Sequence, residues 1–159
     1  MEKSRIFIVL IVWVALVVII SLTFIVIKKL SHQEDLNNYT KKGKGDLMLE
    51  YKVASNMLYE PEGYTYKIKI YDNRKAEYIK PNYKTETTTI DEKTYVEIIK
   101  RTFSNNFIKL GDITDNTALD GDYGYIYVYK DGEKYTIGGC NPSNELYGEA
   151  VFKIRNIFQ

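Results

Sequence analysis

The 159-residue chain has one cysteine, one histidine, three prolines and almost no net charge, +1 at neutral pH. A single cysteine, Cys140, excludes an intrachain disulfide framework and any zinc site built from cysteines. The single histidine, His32, removes metal clusters built from paired histidines and makes a His-dependent catalytic triad a poor expectation. Near-neutral charge argues against nucleic acid as a partner. No P-loop, Gly-x-Ser-x-Gly, His-Glu-x-x-His or dinucleotide fingerprint occurs, so no cofactor is expected.

What the chain does have is one long apolar run. Ile6 to Ile27 carries no charge over 22 residues, with Lys3 and Arg5 before it and Lys28 and Lys29 after it. As a helix it would extend about 33 Å at ~1.5 Å per residue, enough for a hydrocarbon core of about 30 Å. Ser21 and Thr23 can bond back to their own helix carbonyls. No small-residue cleavage site follows the run, so it reads as an uncleaved anchor rather than a signal peptide. The expected layout is a tail over 1–5, an anchor over 6–27, a polar stalk over 28–45 and a folded domain over 46–159. Counted over the flanks, positive charge slightly favours a cytoplasmic C-terminal side. A short tail leading straight into an anchor favours export of the C-terminal domain, which sets the expected location as a single-pass cell-membrane protein with an extracytoplasmic head. The stalk holds the basic stretch Lys41–Lys44 and an Asn38-Tyr39-Thr40 glycosylation sequon, relevant only to a eukaryotic secretory route.

Beyond the stalk the hydrophobic period is mostly two. Leu47, Leu49, Tyr51 and Val53 alternate with polar neighbours, as do Tyr64, Tyr66, Ile68 and Ile70, and each set predicts a half-buried strand. Asp72-Asn73 predicts a turn into a strand over 76–80, and Pro81-Asn82 a corner before a Thr-rich strand over 83–89. Thr89 and Glu92 have capping-box spacing ahead of a helix with Tyr95, Ile98, Ile99, Thr102 and Phe103 on one stripe, which Asn105-Asn106 would end. Asp131-Gly132 predicts a two-residue type I′ hairpin. That turn places Ile126, Val128, Tyr135 and Ile137 on one face and turns Tyr125, Tyr127 and Tyr129 to the other. Asn141-Pro142 suggests the cap and first position of a last helix, with Tyr147, Ala150, Val151, Ile154, Ile157 and Phe158 on its apolar stripe. The expected fold is α+β: an antiparallel sheet of five or six strands with two helices on one face, behind a single transmembrane helix.

Fifteen tyrosines are many for this length. Tyrosine joins a large apolar body to a polar tip at little entropic cost, which suits recognition of sugars, peptides or protein surfaces. Tyr125, Tyr127 and Tyr129, on the face away from the core, are therefore the candidate ligand-binding residues. The competing explanation is β-propensity alone. Cys140, near the expected helix start, is a candidate reactive thiol, because a helix dipole lowers a thiol pKa. Gly138-Gly139 before it suits a strand-to-helix turn or an anion held on helix amides. Asp112, Asp115, Asp120 and Asp122 crowd one loop without EF-hand spacing, and Glu60 and Glu62 would need a defined cleft to act on a glycoside. The function expected is a non-enzymatic binding module whose partners are the lipid bilayer and an envelope or membrane protein. The alternatives are a tethered enzyme or redox protein using Cys140, or a cytoplasm-facing subunit of a membrane complex.

Overall fold

The computed structural model describes residues 13–14, 16–27, 43–55, 63–115 and 121–159. Ile6, residues 28–42 of the expected stalk with His32 and the sequon, Glu60, Glu62 and Asp120 lie outside the described residues. The chain divides into two units, Met1–Asn38 and Tyr39–Gln159.

In the first unit, residues 13–14 and 16–27 are helical (α1). Its large apolar side chains are all strongly exposed, from Leu16 at 49% to Phe24 at 74%. Its two hydroxyls are turned inward. Ser21 Oγ donates to the Val17 carbonyl at 2.8 Å, and Thr23 Oγ1 to those of Ile19 and Ile20 at 2.9 Å. Among the described residues no helix is long and apolar enough to cross a membrane. The expected span begins at Ile6, outside them, and α1 runs to its other expected end, Ile27.

The second unit is α+β. It runs β1 (Leu47–Ala54), β2 (Tyr66–Tyr71), β3 (Lys75–Ile79), β4 (Glu86–Thr89), α2 (Glu92–Thr102), α3 (Asn105–Ile108), β5 (Tyr123–Lys130), β6 (Glu133–Cys140), α4 (Glu145–Arg155) and a 3₁₀ turn, Asn156–Phe158. The strands form one six-stranded antiparallel sheet in the order β4-β3-β2-β1-β5-β6. The connection through α2 and α3 brings β5 back beside β1, so the most apolar strands lie at the centre.

Alternation decides which way each strand faces. Leu49, Tyr51, Val53, Ile68, Ile70, Ala76, Ile126, Val128 and Ile137 are all buried on one face. There they pack against Tyr95, Ile98, Ile99, Phe103 and Phe107 of the α2–α3 segment and Tyr147, Ala150 and Ile154 of α4. The helices are tied together by Lys153 Nζ to Glu97 Oε2 at 2.6 Å and by an Arg101–Glu149 ion pair. Among the described residues of this unit, no helix packs on the opposite sheet face.

The turns follow their residues. Asp131 and Gly132 have φ of 55° and 80°, the paired positive angles of a type I′ hairpin. At Asp72-Asn73 the turn needs one residue more, and Arg74 takes the left-handed position at φ 67°.

Three helix ends differ from expectation, each for a local reason. Thr89 is still paired with Lys75 in the sheet and cannot cap. Asp91 does so instead, accepting from the Thr94 amide at 3.0 Å, and hydrogen bonds from Thr94 hold its carboxyl below the usual range. Asn105-Asn106 open α3 rather than end α2, because Ser104 caps them through its bond from the Phe107 amide. Asn141 is consumed in extending the β5–β6 ladder, its amide donating to the Asp122 carbonyl at 3.0 Å. The cap of α4 is therefore Asn144, which accepts from the Leu146 and Tyr147 amides.

Within α4, Gly148 is exposed and a methyl group there would meet nothing within 4 Å. Gly148→Ala is expected to stabilise the domain by about 0.5–1 kcal/mol through helix propensity alone. A denaturant midpoint at or below that of the parent chain would contradict this.

Candidate functional site

The sheet face opposite the helices is laid out by register. Because Ile126 and Val128 point into the core, Tyr123, Tyr125, Tyr127 and Tyr129 of β5 all point outward, as the hairpin pattern predicts. All four are half-buried. The rings of Tyr123 and Tyr125 lie 6.4 Å apart at 16°, and those of Tyr125 and Tyr127 6.2 Å apart at 18°, a ladder of near-parallel rings. Lys134, opposite Tyr129 on β6, reaches diagonally so that its Nζ sits 3.9 Å from the Tyr127 ring centroid. The three tyrosines expected to form a site do share one continuous surface.

The neighbouring strands give this ladder a charged margin. In one row across the sheet, Tyr127 is opposite Glu50, which is opposite Lys69, which is opposite Glu77. Glu50 and Lys69 approach to 3.9 Å, and Glu77 is held by Lys75 at 2.6 Å and by the Tyr71 hydroxyl at 2.7 Å. In the next row Tyr125 is opposite Lys52, and Lys52 is opposite Lys67.

Burial pushes the phenols of Tyr125, Tyr127 and Tyr129 above their ordinary value. The Asp112 carboxylate adds to this at Tyr125, and Glu50 at Tyr127 and Tyr129. All three are therefore neutral hydroxyls at physiological pH, able both to donate and to accept.

Cys140 ends β6 opposite Tyr123 and is half-buried. Its amide donates to Thr114 Oγ1 at 3.2 Å and its carbonyl accepts from the Asp115 amide at 2.9 Å. With α4 capped by Asn144 and starting at Glu145, Cys140 is the last residue of a strand and stands further from a helix start than the expected Asn141 cap implies. Gly138 and Gly139 likewise belong to β6, where the 111–115 segment runs alongside them. Asp112 closes a local turn, accepting from the Thr114 amide at 3.0 Å and hydroxyl at 2.6 Å, which holds its carboxyl below the usual range. Among the described residues no group of acidic, Cys and His side chains converges as a metal site would.

Sequence reasoning pointed to nothing on the helix side, yet a cleft of about 210 Å³ opens there between Tyr66, Tyr78, Glu86, Arg155 and Phe158. Its wall includes Tyr66, Tyr78 and Phe158, with centroid spacings of 5.5 and 5.6 Å, and the buried Tyr51 continues this aromatic row behind Tyr66 at 5.9 Å. The available signal was the period-two pattern of β3, which turns Tyr78 to the core face beyond the reach of α2.

No protein-family model matches the chain, and no curated protein matches it.

Proposed function

We propose that the protein is a membrane-anchored binding module whose head is displayed outside the cell and recognises its partner through Tyr125, Tyr127 and Tyr129. The observation that carries this is the tyrosine ladder on the sheet face where, among the described residues of the head, no helix packs. β-Propensity explains a tyrosine in a strand. It does not require four at alternate positions on the same face, beside lysines and with no covering element among the described residues of the head.

Anchoring is supported by the uncharged stretch from Ile6 to Ile27, and by α1, whose exposed apolar side chains need a non-aqueous surrounding. The inward hydrogen bonds of Ser21 and Thr23 suit lipid, where polar groups must find partners within the helix. Tethering would raise the effective concentration of the head toward an envelope or membrane protein, so individually weak contacts suffice.

Tyr125→Ser, Tyr127→Ser and Tyr129→Ser combined are expected to leave the circular dichroism of the full chain unchanged and to abolish cross-linking to its partner in intact membranes. Undiminished cross-linking would remove the site assignment. Release of the parent chain by a carbonate wash would remove the anchor, and a C-terminal reporter active only in the cytoplasm would reverse the orientation.

A further inference from the structure

Charge around the ladder is unbalanced in a way the fold itself does not need. Both carboxylates that the strands themselves present on the outer face have cationic partners, Glu50 with Lys69 and Glu77 with Lys75. Asp112, whose carboxylate acts on Tyr125 from the 111–115 segment, accepts from the Thr114 amide and hydroxyl. Lys52, Lys67 and Lys134 have no carboxylate partner among the described residues. Lys67 and Lys134 rest their ammonium groups 4.0 and 3.9 Å from the ring centroids of Tyr64 and Tyr127. Lys52 and Lys67 are also direct cross-strand partners. Like charges placed opposite one another weaken a sheet, so this pair works against folding unless an anion is brought to it.

The geometry of the surface is linear. Tyr123 to Tyr129 run along a single strand for about 20 Å, at ~3.3 Å per residue. The Lys52–Lys67 pair lies on the β1–β2 side of the line and Lys134 on the β6 side. Aromatic rings with protonated hydroxyls match the apolar C–H faces and hydroxyl groups of sugar rings. The flanking ammonium groups match carboxylate or phosphate substituents on the same chain.

Resting on the binding-module reading above, we propose that the partner of this face is a linear anionic glycan, its sugar rings laid along Tyr123–Tyr129 and its carboxylate or phosphate groups held by Lys52 and Lys67. A polyanionic peptide would use the lysines but not the ladder. An anionic bilayer would meet the whole face rather than one line of rings.

The test uses the full chain in nanodiscs of neutral phosphatidylcholine. Four probes are compared: polygalacturonate, a phosphorylated mannan, neutral dextran and polyglutamate, with phosphatidylglycerol vesicles as a further arm. Retention on polygalacturonate or the phosphorylated mannan is expected, with little on dextran, polyglutamate or the vesicles, and the binding should weaken with added salt. Lys52→Gln with Lys67→Gln is expected to weaken glycan binding by about tenfold or more while the unfolding midpoint stays or rises. Tyr125→Ser with Tyr127→Ser is expected to weaken it as much. Equal binding of polyglutamate or of the vesicles would overturn the proposal, as would failure of both charged glycans to bind. If both fail while partner cross-linking still depends on Tyr125, Tyr127 and Tyr129, the glycan assignment alone falls. If cross-linking is also indifferent to the tyrosines, the binding-module reading falls with it.

Discussion

Raising the pH from about 9 to about 11 is expected to remove about 4 kcal/mol from the stability of the head domain, through three core tyrosines. Tyr51, Tyr95 and Tyr147 are 5%, 1% and 4% exposed. Burial raises all three phenols, and is the largest cause at each. The neighbouring Tyr66 and Tyr147 phenols add to it at Tyr51, Asp72 at Tyr95, and Tyr66 and Tyr125 at Tyr147. Tyr95 is pushed up to about 12, and Tyr51 and Tyr147 further.

In the unfolded chain each tyrosine loses its proton near pH 10. Below that value both states hold the proton and the stability is fully present. Above it the unfolded chain ionises while the folded core does not, so each tyrosine takes away about 1.4 kcal/mol per pH unit until its own folded value is reached. A net stability of about 5–15 kcal/mol does not withstand three such losses for long.

Denaturant midpoints of the full chain in detergent at successive pH values measure the effect, with tyrosinate absorbance following the same transition. A midpoint unchanged up to pH 11 would contradict it. Tyr147→Phe separates this from general alkaline damage. Among the described residues the buried Tyr147 hydroxyl has no hydrogen-bond partner, and it stands where a side chain at Gly124 would otherwise be. Removing it is expected to leave stability at pH 7 unchanged or up to about 1 kcal/mol higher, and to take about a third from the alkaline slope.

The sheet was legible wherever a period-two pattern met a turn with obligatory chemistry. Asp131-Gly132 fixed the β5–β6 register, and register alone put Ile126 and Ile137 inside and Tyr125 and Tyr127 outside. The helix stripes were equally plain, since Tyr95, Ile98, Ile99 and Thr102 can share only one side of a helix.

The caps were less legible because a cap is decided by what its neighbours have already committed. Thr89 has the right side chain, but its backbone is taken by Lys75 across the ladder. Asn141 has the right side chain too, but its amide goes to Asp122. Such competition between a local motif and a long-range pairing leaves no trace within a short window of sequence. The same limit applies to the candidate site. The ladder of tyrosines follows from β5 by itself. The Lys52–Lys67 juxtaposition needs β1 to lie between β2 and β5, a matter of strand order that no periodicity contains. Cys140 drew attention through a helix start that lies further on, at Asn144.

The glycine pair before Cys140 gives the other large expectation. Read from sequence, Gly138-Gly139 suits a turn from strand into helix or an anion held on helix amides. In the structure Gly138 is a working strand residue, opposite Tyr125 at φ 136°, a conformation that side chains disfavour. A β-carbon there would collide with the Gly124 carbonyl oxygen, which is backbone and cannot rotate away. Its own amide donates to the Gly111 carbonyl and its carbonyl accepts from the Ile113 amide, both at 3.0 Å. These bonds also cover this end of the β6 edge, which would otherwise offer unpaired groups to another chain.

Gly138→Val is therefore expected to cost about 3–5 kcal/mol, from strained backbone and two lost hydrogen bonds, and to displace β5 at Tyr125. Gly111→Ala supplies the contrast. Gly111 also has positive φ, 56°, but a methyl group there meets nothing within 4 Å, so it should cost about 1 kcal/mol from strain alone. Denaturant unfolding of the two variants beside the parent chain measures the difference. Equal losses at both positions would mean that backbone conformation, and not the close approach of β6 to Gly124, is what glycine serves at position 138. Because the displaced strand carries the ladder, Gly138→Val should weaken capture by the tyrosine face even at temperatures where the variant stays folded.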